Sequence, residues 1–324
     1  VGNLRLVLDV QVSAGKQHAS AHAKAALGRL LDELGEGPES RRPALVRGDS
    51  GYGNEGILLE LERRQQPYLL RLRQTANVQR LVARQFTRQD WSLADNQGCQ
   101  MVQDRLQLHG WSQKRRVVIV RQRLRGGIAR ERRVDGKQLQ LDLAGANVLD
   151  GERMWAYAVL VTDVNYPLQA IGQLYRDRAD CENGFDELKN QWGLSGFTTQ
   201  DINRCQTTAR ACALVYNWWS WYCRTANPSA RMEAITSRPL LLAAVGTAAN
   251  HAGQTTLYLT PLHGKANILK PLIANIRAAL QHVKDTAEQF KSIDPWAVLL
   301  RYVSDKIAPI LGPFKPPPAL VTTG

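Results

Sequence analysis

Leu4, Leu6, Leu8, Val10 and Val12 alternate with Arg5, Val7, Asp9 and Gln11, and this period of two predicts a strand at the start of the chain. A chain that opens inside a core strand is expected to have lost preceding residues. Lys16 to Leu34 is rich in Ala and Leu and stops at Gly35, which predicts a helix. Pro43 to Arg47 predicts a short strand that runs into Gly48-Asp49-Ser50-Gly51. A helix over Glu55 to Arg64 and a strand over Pro67 to Arg73 follow. Between Gln74 and Arg153 the texture changes. Helical periodicity is weak after Val82, and short apolar stretches alternate with turn signals such as Asn96-Gln97-Gly98, Gly126-Gly127 and Asp135-Gly136. This pattern predicts an inserted antiparallel β unit, closed by a strand over Trp155 to Val161.

After Pro167 the pattern becomes helical. One helix is expected from about Leu168 to Trp192, a second from about Asp201 to Arg224, and others near 231–249, 266–290 and 295–307. Trp218, Trp219, Trp221 and Tyr222 are expected to pack the second of these onto the sheet. Pro313 and Pro316 to Pro318 predict an extended tail. The chain thus divides into four parts: an α/β core begun by residues 1–75, a β-rich insertion over 76–162, the rest of the core over 163–227, and a helical C-terminal region over 228–324.

The 324 residues carry a net charge of +13, which favours a polyanionic partner, either nucleic acid or an anionic membrane surface. No apolar run approaches the ~20 residues of a spanning helix, and the Leu240 to Val245 run is far too short. Five cysteines without a Cys-x-x-Cys pair argue against a disulfide framework or zinc knuckle and for a reducing compartment. Within the insertion, Arg105, Lys114, Arg115, Arg116, Arg121, Arg123, Arg125, Arg130, Arg132, Arg133 and Lys137 face only Asp104, Glu131 and Asp135. This strip is expected to track a DNA backbone, with binding that weakens steeply in salt. Trp91 and Trp111 suit either a core or a stacking surface for an unpaired base.

Two segments carry candidate chemistry. On a continuous helix, Tyr175, Arg178, Glu182 and Lys189 share an arc about 60° wide. An apolar stripe of Leu174, Cys181, Phe185, Leu188 and Trp192 lies beside that arc. Glu182 then suits a metal ion, with Arg178 and Lys189 on phosphates. An ordinary amphipathic helix remains open, because Asp180, Asn183, Glu187 and Asn190 fill part of the opposite, solvated face. The second segment, RGDSGYGNE over Arg47 to Glu55, puts Asp49 just past a strand end. It reads either as a metal ligand or as a turn residue.

Taken together, the spacing Tyr-x2-Arg-x3-Glu-x6-Lys and the RGDSGYGNE segment resemble a large group of bacterial insertion-sequence transposases of the DDE type. PYLLRLRQTANVQRL and AYAVLVTD resemble that group's flanking segments, so the likeness runs from Leu4 to about Arg224. The resemblance implies an α/β, ribonuclease-H-like mixed sheet of five strands with helices on both faces, interrupted by a β-rich insertion ahead of the helix with the catalytic Glu. It implies that Asp49 and Glu182 are the second and third members of a carboxylate triad holding two Mg²⁺ or Mn²⁺ ions. Tyr175, Arg178 and Lys189 would contact transposon-end DNA. The implied partners are double-stranded DNA, both transposon ends and target, and a second copy of the chain in a synaptic complex. The implied location is the bacterial cytoplasm, at the nucleoid. The group's first aspartate sits on the first core strand, whereas Asp9 lies on what looks like the third, so Asp9 is not assigned to the triad. The first strand, its aspartate and the usual N-terminal DNA-binding helices are expected to be missing, which puts catalysis by this chain alone in question. Another nuclease of the same fold, or a non-catalytic DNA-binding remnant, is the alternative; the Tyr-Arg-Glu-Lys spacing and the long insertion favour the transposase.

Overall fold

The computed structural model describes residues 5–15, 20–35, 42–123, 133–134, 137–138, 155–243, 246–259, 264–289 and 294–311. The chain forms two compact units, one over Ser13–Ala179 and one that takes in the described residues of 5–12 and 180–311.

The first unit holds a mixed α/β arrangement. In chain order it comprises α1 (Ser20–Gly35), β1 (Val46–Gly48), α2 (Glu55–Arg63), β2 (Tyr68–Arg71), α3 (Ala76–Arg84), β3 (Cys99–Leu106), β4 (Arg115–Arg123), β5 (Arg133–Val134), β6 (Lys137–Gln138), β7 (Trp155–Thr162) and α4 (Leu168–Arg176). Five strands join in the order β1-β2-β7-β4-β3. β1 and β2 run parallel, with Val46 opposite Tyr68, because α2 carries the chain back between them. The stretch expected to be antiparallel supplies β3, β4 and β7: β4 pairs antiparallel with both β3 and β7, and β7 pairs antiparallel with β2.

Alternation along each strand explains both cores of this unit. Tyr68, Leu70, Val102, Val117, Ile119, Val159 and Val161 point to one face, where they meet Leu31 of α1, Ile57, Leu58 and Leu61 of α2, and Val78, Leu81 and Val82 of α3. Leu69, Met101, Val118 and Leu160 point to the other face and meet Ile171 and Leu174 of α4. A strand covered on both faces has no polar side to show, which is why β2 and β7 read as nearly continuous apolar runs.

The second unit is mainly helical: α5 (Ala179–Gln191, entered at the boundary), α6 (Ile202–Ala226), α7 (Ala234–Leu241), β8 (Gly246–His251), β9 (Gln254–Leu259), α8 (Ala266–Gln289) and α9 (Pro295–Leu311). Its core gathers Cys223 and Ala226 with Leu240, Leu241, Leu269 and Leu272. Trp219 and Tyr222, expected to pack α6 onto the sheet, pack into this cluster of helices. The Trp219 indole donates to the Ser237 hydroxyl at 2.8 Å, while Trp218 stacks on Trp296 at 6.1 Å. The expected helix near 231–249 ends at Leu241, and a hairpin occupies 246–259. The β-branched and aromatic run Thr255-Thr256-Leu257-Tyr258 was its signal in the sequence.

The strand expected over Leu4 to Val12 is not formed among its described residues. Residues 5–12 form no regular strand and find their partners on a helix. The Asn217 carboxamide accepts from the Val7 amide at 2.9 Å and donates to the Val7 carbonyl at 2.7 Å. Gln206 does the same for the Val12 amide, at 2.8 Å, and the Val10 carbonyl, at 2.7 Å. A side-chain amide carries the donor and acceptor of a peptide group, so two of them on α6 substitute for a neighbouring strand. Alternation alone cannot tell these situations apart.

Candidate functional site

Asp49 follows directly on β1, at the exposed end of that strand. One of its carboxylate oxygens accepts from the Gly51 amide at 2.9 Å, and its carbonyl accepts from the Tyr52 amide at 3.1 Å. The two sequence readings of this segment are therefore compatible: Asp49 makes the turn with Oδ1 and is exposed beside it. The turn passes into α2 through Asn54, whose side chain caps the Ile57 amide. Gly53 is required in between, since a Cβ there would lie 2.8 Å from the Arg71 carbonyl oxygen, which the sheet holds in place. Ser50, Gly51, Gly53, Asn54, Arg73 and Thr75 line an open cavity on this side of the sheet.

Both ends of the turn are anchored. On the β1 side, Arg47 donates to the Leu174 carbonyl of α4 at 2.5 Å. On the α2 side, Glu55 accepts from Arg115 at 2.5 Å and from the amide and hydroxyl of Ser112 at 2.9 and 2.6 Å. Arg115 also reaches Glu62 at 2.6 Å through Nε, and Glu62 accepts from the Tyr68 hydroxyl at 2.9 Å. Arg115 is itself buried. Burial works against the Glu55 carboxylate, but the hydrogen bonds from Arg115 and Ser112 outweigh it and hold its pKa below the usual value. For Glu62 the Arg115 hydrogen bond is the largest influence and also lowers the pKa. Both groups thus titrate lower in the folded chain, so their contribution is present above the ordinary value of 4.5 and is lost as pH falls through the depressed folded values. Arg115→Gln is expected to lower stability at neutral pH and to flatten the acid dependence between about pH 6 and about pH 3. Denaturant titrations across that range check it, and an acid profile as steep as that of the unaltered chain contradicts it.

Arg115 is one of three cations of the expected DNA-tracking strip that turn inward instead. Arg116 donates to the Val164 and Tyr166 carbonyls and to Gln103. The Arg121 guanidinium sits between the rings of Trp91 and Trp155, 4.0 and 4.4 Å from their centroids. Trp111 is buried beneath Arg115, and Trp91 packs on Tyr157, so both tryptophans belong to the core. Arg105, Lys114 and Arg123 are exposed. Arg125, Arg130 and Arg132 lie outside the described residues, as do the side chains of Arg133 and Lys137. Charge density along a sequence does not distinguish a solvated cation from one that meets a carboxylate folded in from 53 or 60 positions away.

The single helix expected over 168–192 is interrupted. α4 ends at Arg176, Asp177 and Arg178 form a turn, and α5 begins at Ala179. Tyr175 and Arg178 therefore do not share a helical face with Glu182 and Lys189 by periodicity. Tyr175 packs beside Leu174 against the sheet, and the Arg178 guanidinium lies 5.4 Å from the Tyr175 ring centroid, a cation–π contact. In the other unit, Glu182 and Lys189 are both exposed on one side of α5, two turns apart, with exposed Phe185 between them.

The apolar stripe expected on this helix is also rotated. Leu188 is buried, but Cys181 and Phe185 are exposed. Glu187, expected on the solvated side, is only 2% exposed. It forms an ion pair with Arg231 and accepts from the Ala234 amide at 3.0 Å. Gln191 accepts from the Ile235 amide at 2.7 Å. α5 thus caps the N-terminus of α7 with two side chains, satisfying first-turn amides that have no partner within their own helix. Nothing in the local sequence signals this, because the partner residues are more than forty positions away.

Among the described residues, no three His, Cys, Asp or Glu side chains cluster as a ready-made metal site. No described helix is long and apolar enough to cross a membrane. A search of curated proteins finds no match. The family described as Transposase DDE domain matches residues 2–218, about two thirds of the chain. Members of that family usually use divalent metal ions. The match takes in β1 and its Asp49 turn, the whole five-stranded sheet, and α5 with Glu182 and Lys189, and on that extent the chain belongs to the transposase DDE domain family.

Proposed function

We propose that this chain cleaves DNA strands at the ends of an insertion sequence and joins them to target DNA, in a metal-dependent reaction. The observation that carries the reading is the combination of the family match with an exposed carboxylate, Asp49, set in a formed turn at a strand end. Asp49 and Glu182 are assigned as metal ligands and catalytic residues. Their oxygens are the hard donors that Mg²⁺ or Mn²⁺ takes, and both side chains lie on exposed surface. Asp49 and Glu182 are the second and third members of a carboxylate triad; no residue of this chain is assigned as the first, so activity of this chain alone is part of what the test below decides. Two divalent ions, when bound, would stabilise the entering and leaving oxygens of an in-line displacement at phosphorus.

The remaining assignments concern binding. Tyr175, Arg178 and Lys189 contact the DNA of the element end, with Arg178 and Lys189 positioning phosphates without reading sequence. The contact between Arg178 and the Tyr175 ring supports the pairing of those two residues. The ribonuclease-H-like reading of the sheet belongs to the same proposal, supported by helices on both faces and by Asp49 at the end of a parallel strand. Two ends must be brought together, so the working form is a homodimer in a synaptic complex, acting at the bacterial nucleoid.

The test is a duplex bearing an element end, incubated with the full chain and Mg²⁺ or Mn²⁺. Nicking at the end with release of a 3′-hydroxyl is expected. A chelator is expected to reduce it by about a hundredfold or more while DNA binding persists. End binding without cleavage in either metal would instead favour a non-catalytic DNA-binding protein.

A further inference from the structure

β8 and β9 form a two-stranded ribbon joined by Ala252 and Gly253. Both turn residues have positive φ, +51° and +77°, the type I′ geometry that suits the twist of a tight hairpin. Residues 246–256 and Tyr258 are all exposed, Tyr258 to 62%. An isolated two-stranded hairpin is marginal in water. A partner that covers one face of this one would therefore contribute to holding it.

The chemistry of the ribbon indicates what the partner is. By register, Thr247, Ala249 and His251 share a face with Gln254, Thr256 and Tyr258. That face presents hydroxyl, imidazole and carboxamide groups, which donate and accept hydrogen bonds without net charge. On the opposite face the Thr255 hydroxyl is already bonded to Asn250 at 2.6 Å. In sequence about the ribbon, the 51 residues from Ala234 to Lys284 include no Asp or Glu, while Lys265, Lys270, Arg277 and Lys284 are basic and exposed. Such a stretch repels a second copy of itself and attracts a polyanion. Six residues per strand give a ribbon about 20 Å long. The major groove of B-DNA is wide enough to admit a two-stranded β-ribbon.

We infer that the β8–β9 ribbon is a DNA-reading element, which enters the major groove and contacts base edges with His251, Gln254 and Thr256. Gln suits the paired donor and acceptor of adenine, and a Thr methyl suits that of thymine. This rests on the DNA-processing reading above and adds to it the part of the chain that discriminates between sequences. Neighbouring lysines and arginines supply affinity through phosphates, and the uncharged ribbon supplies preference.

The experiment compares the full chain with His251→Ala/Gln254→Ala and with Thr256→Glu, by fluorescence anisotropy on a labelled duplex of an element end and on a scrambled duplex, at several salt concentrations. All three positions are exposed, so folding is expected to survive. The double variant is expected to lose about tenfold or more of the preference for the end. Its salt slope stays unchanged, because no cation is removed. Thr256→Glu places a carboxylate in the groove and is expected to weaken binding to both duplexes by about tenfold. Binding by both variants equal to that of the unaltered chain overturns the inference alone, as does a variant that alters the sedimenting mass of the protein and not its DNA affinity. An unaltered chain with no preference for the end overturns the reading beneath it.

Discussion

Glu182→Gln is expected to lower strand cleavage at an element end by about a thousandfold or more, with DNA affinity and fold retained. Loss of one preorganised electrostatic contact to a transition state costs about 10²–10³ in rate. A metal ligand contributes at least that much, because it also fixes the position of the ion. A thousandfold is about 4 kcal/mol in activation free energy. Asp49→Asn is expected to act likewise, since the amide still accepts from Gly51 and keeps the turn while removing the charge that holds the cation. Both residues are exposed, so stability should shift by less than about 0.5 kcal/mol in either variant. Cleavage within about threefold of the unaltered chain in either variant removes that residue from the site.

Glu187→Ala, five positions along the same helix, is expected to do the reverse and cost the second unit about 3–5 kcal/mol. Truncation removes the closest carboxylate partner of the largely buried Arg231 and the acceptor of the Ala234 amide. The Tyr216 hydroxyl at 2.9 Å and the more exposed Glu233 carboxylate at 3.7 Å remain for Arg231, but neither replaces the close, buried carboxylate of Glu187. Glu187→Gln can still accept from Ala234 and is expected to lose less. Denaturant unfolding checks the pair, read with probes in each unit because the two need not unfold together. A loss below about 1 kcal/mol for the alanine variant would mean that the buried pair contributes little net stabilisation. Glu182 and Glu187 therefore provide opposite controls on one helix, one expected to affect chemistry and the other folding.

Where residue spacing within one element carried the information, the sequence was legible. The alternation through β2 and β7 and the apolar spacing of α2 and α6 place those elements close to where they are expected. The turn after β1 was equally readable, because Gly48-Asp49-Ser50-Gly51 has few ways to fold. The uninterrupted helix over 168–192 was not, since the break at Asp177 and Arg178 involves neither Gly nor Pro. Glu187 read as a solvated residue, and Arg115, Arg116 and Arg121 read as a DNA-tracking strip, because a charge looks the same in a sequence whether its partner is water or a distant side chain. The segment over residues 5–12 has the pattern of a strand but takes its partners from Asn217 and Gln206.

Local periodicity, turn chemistry and motif spacing by themselves determined the α/β character of the chain, the position of Asp49 after a strand and the family to compare it with. Tertiary structure decided which charges are buried, that α5 caps α7, that residues 5–12 pair with a helix, and that a polar ribbon stands exposed between α7 and α8. The division follows from range. Backbone preferences act over a few residues and are written in consecutive positions, whereas desolvation and ion pairing depend on groups that only folding brings together.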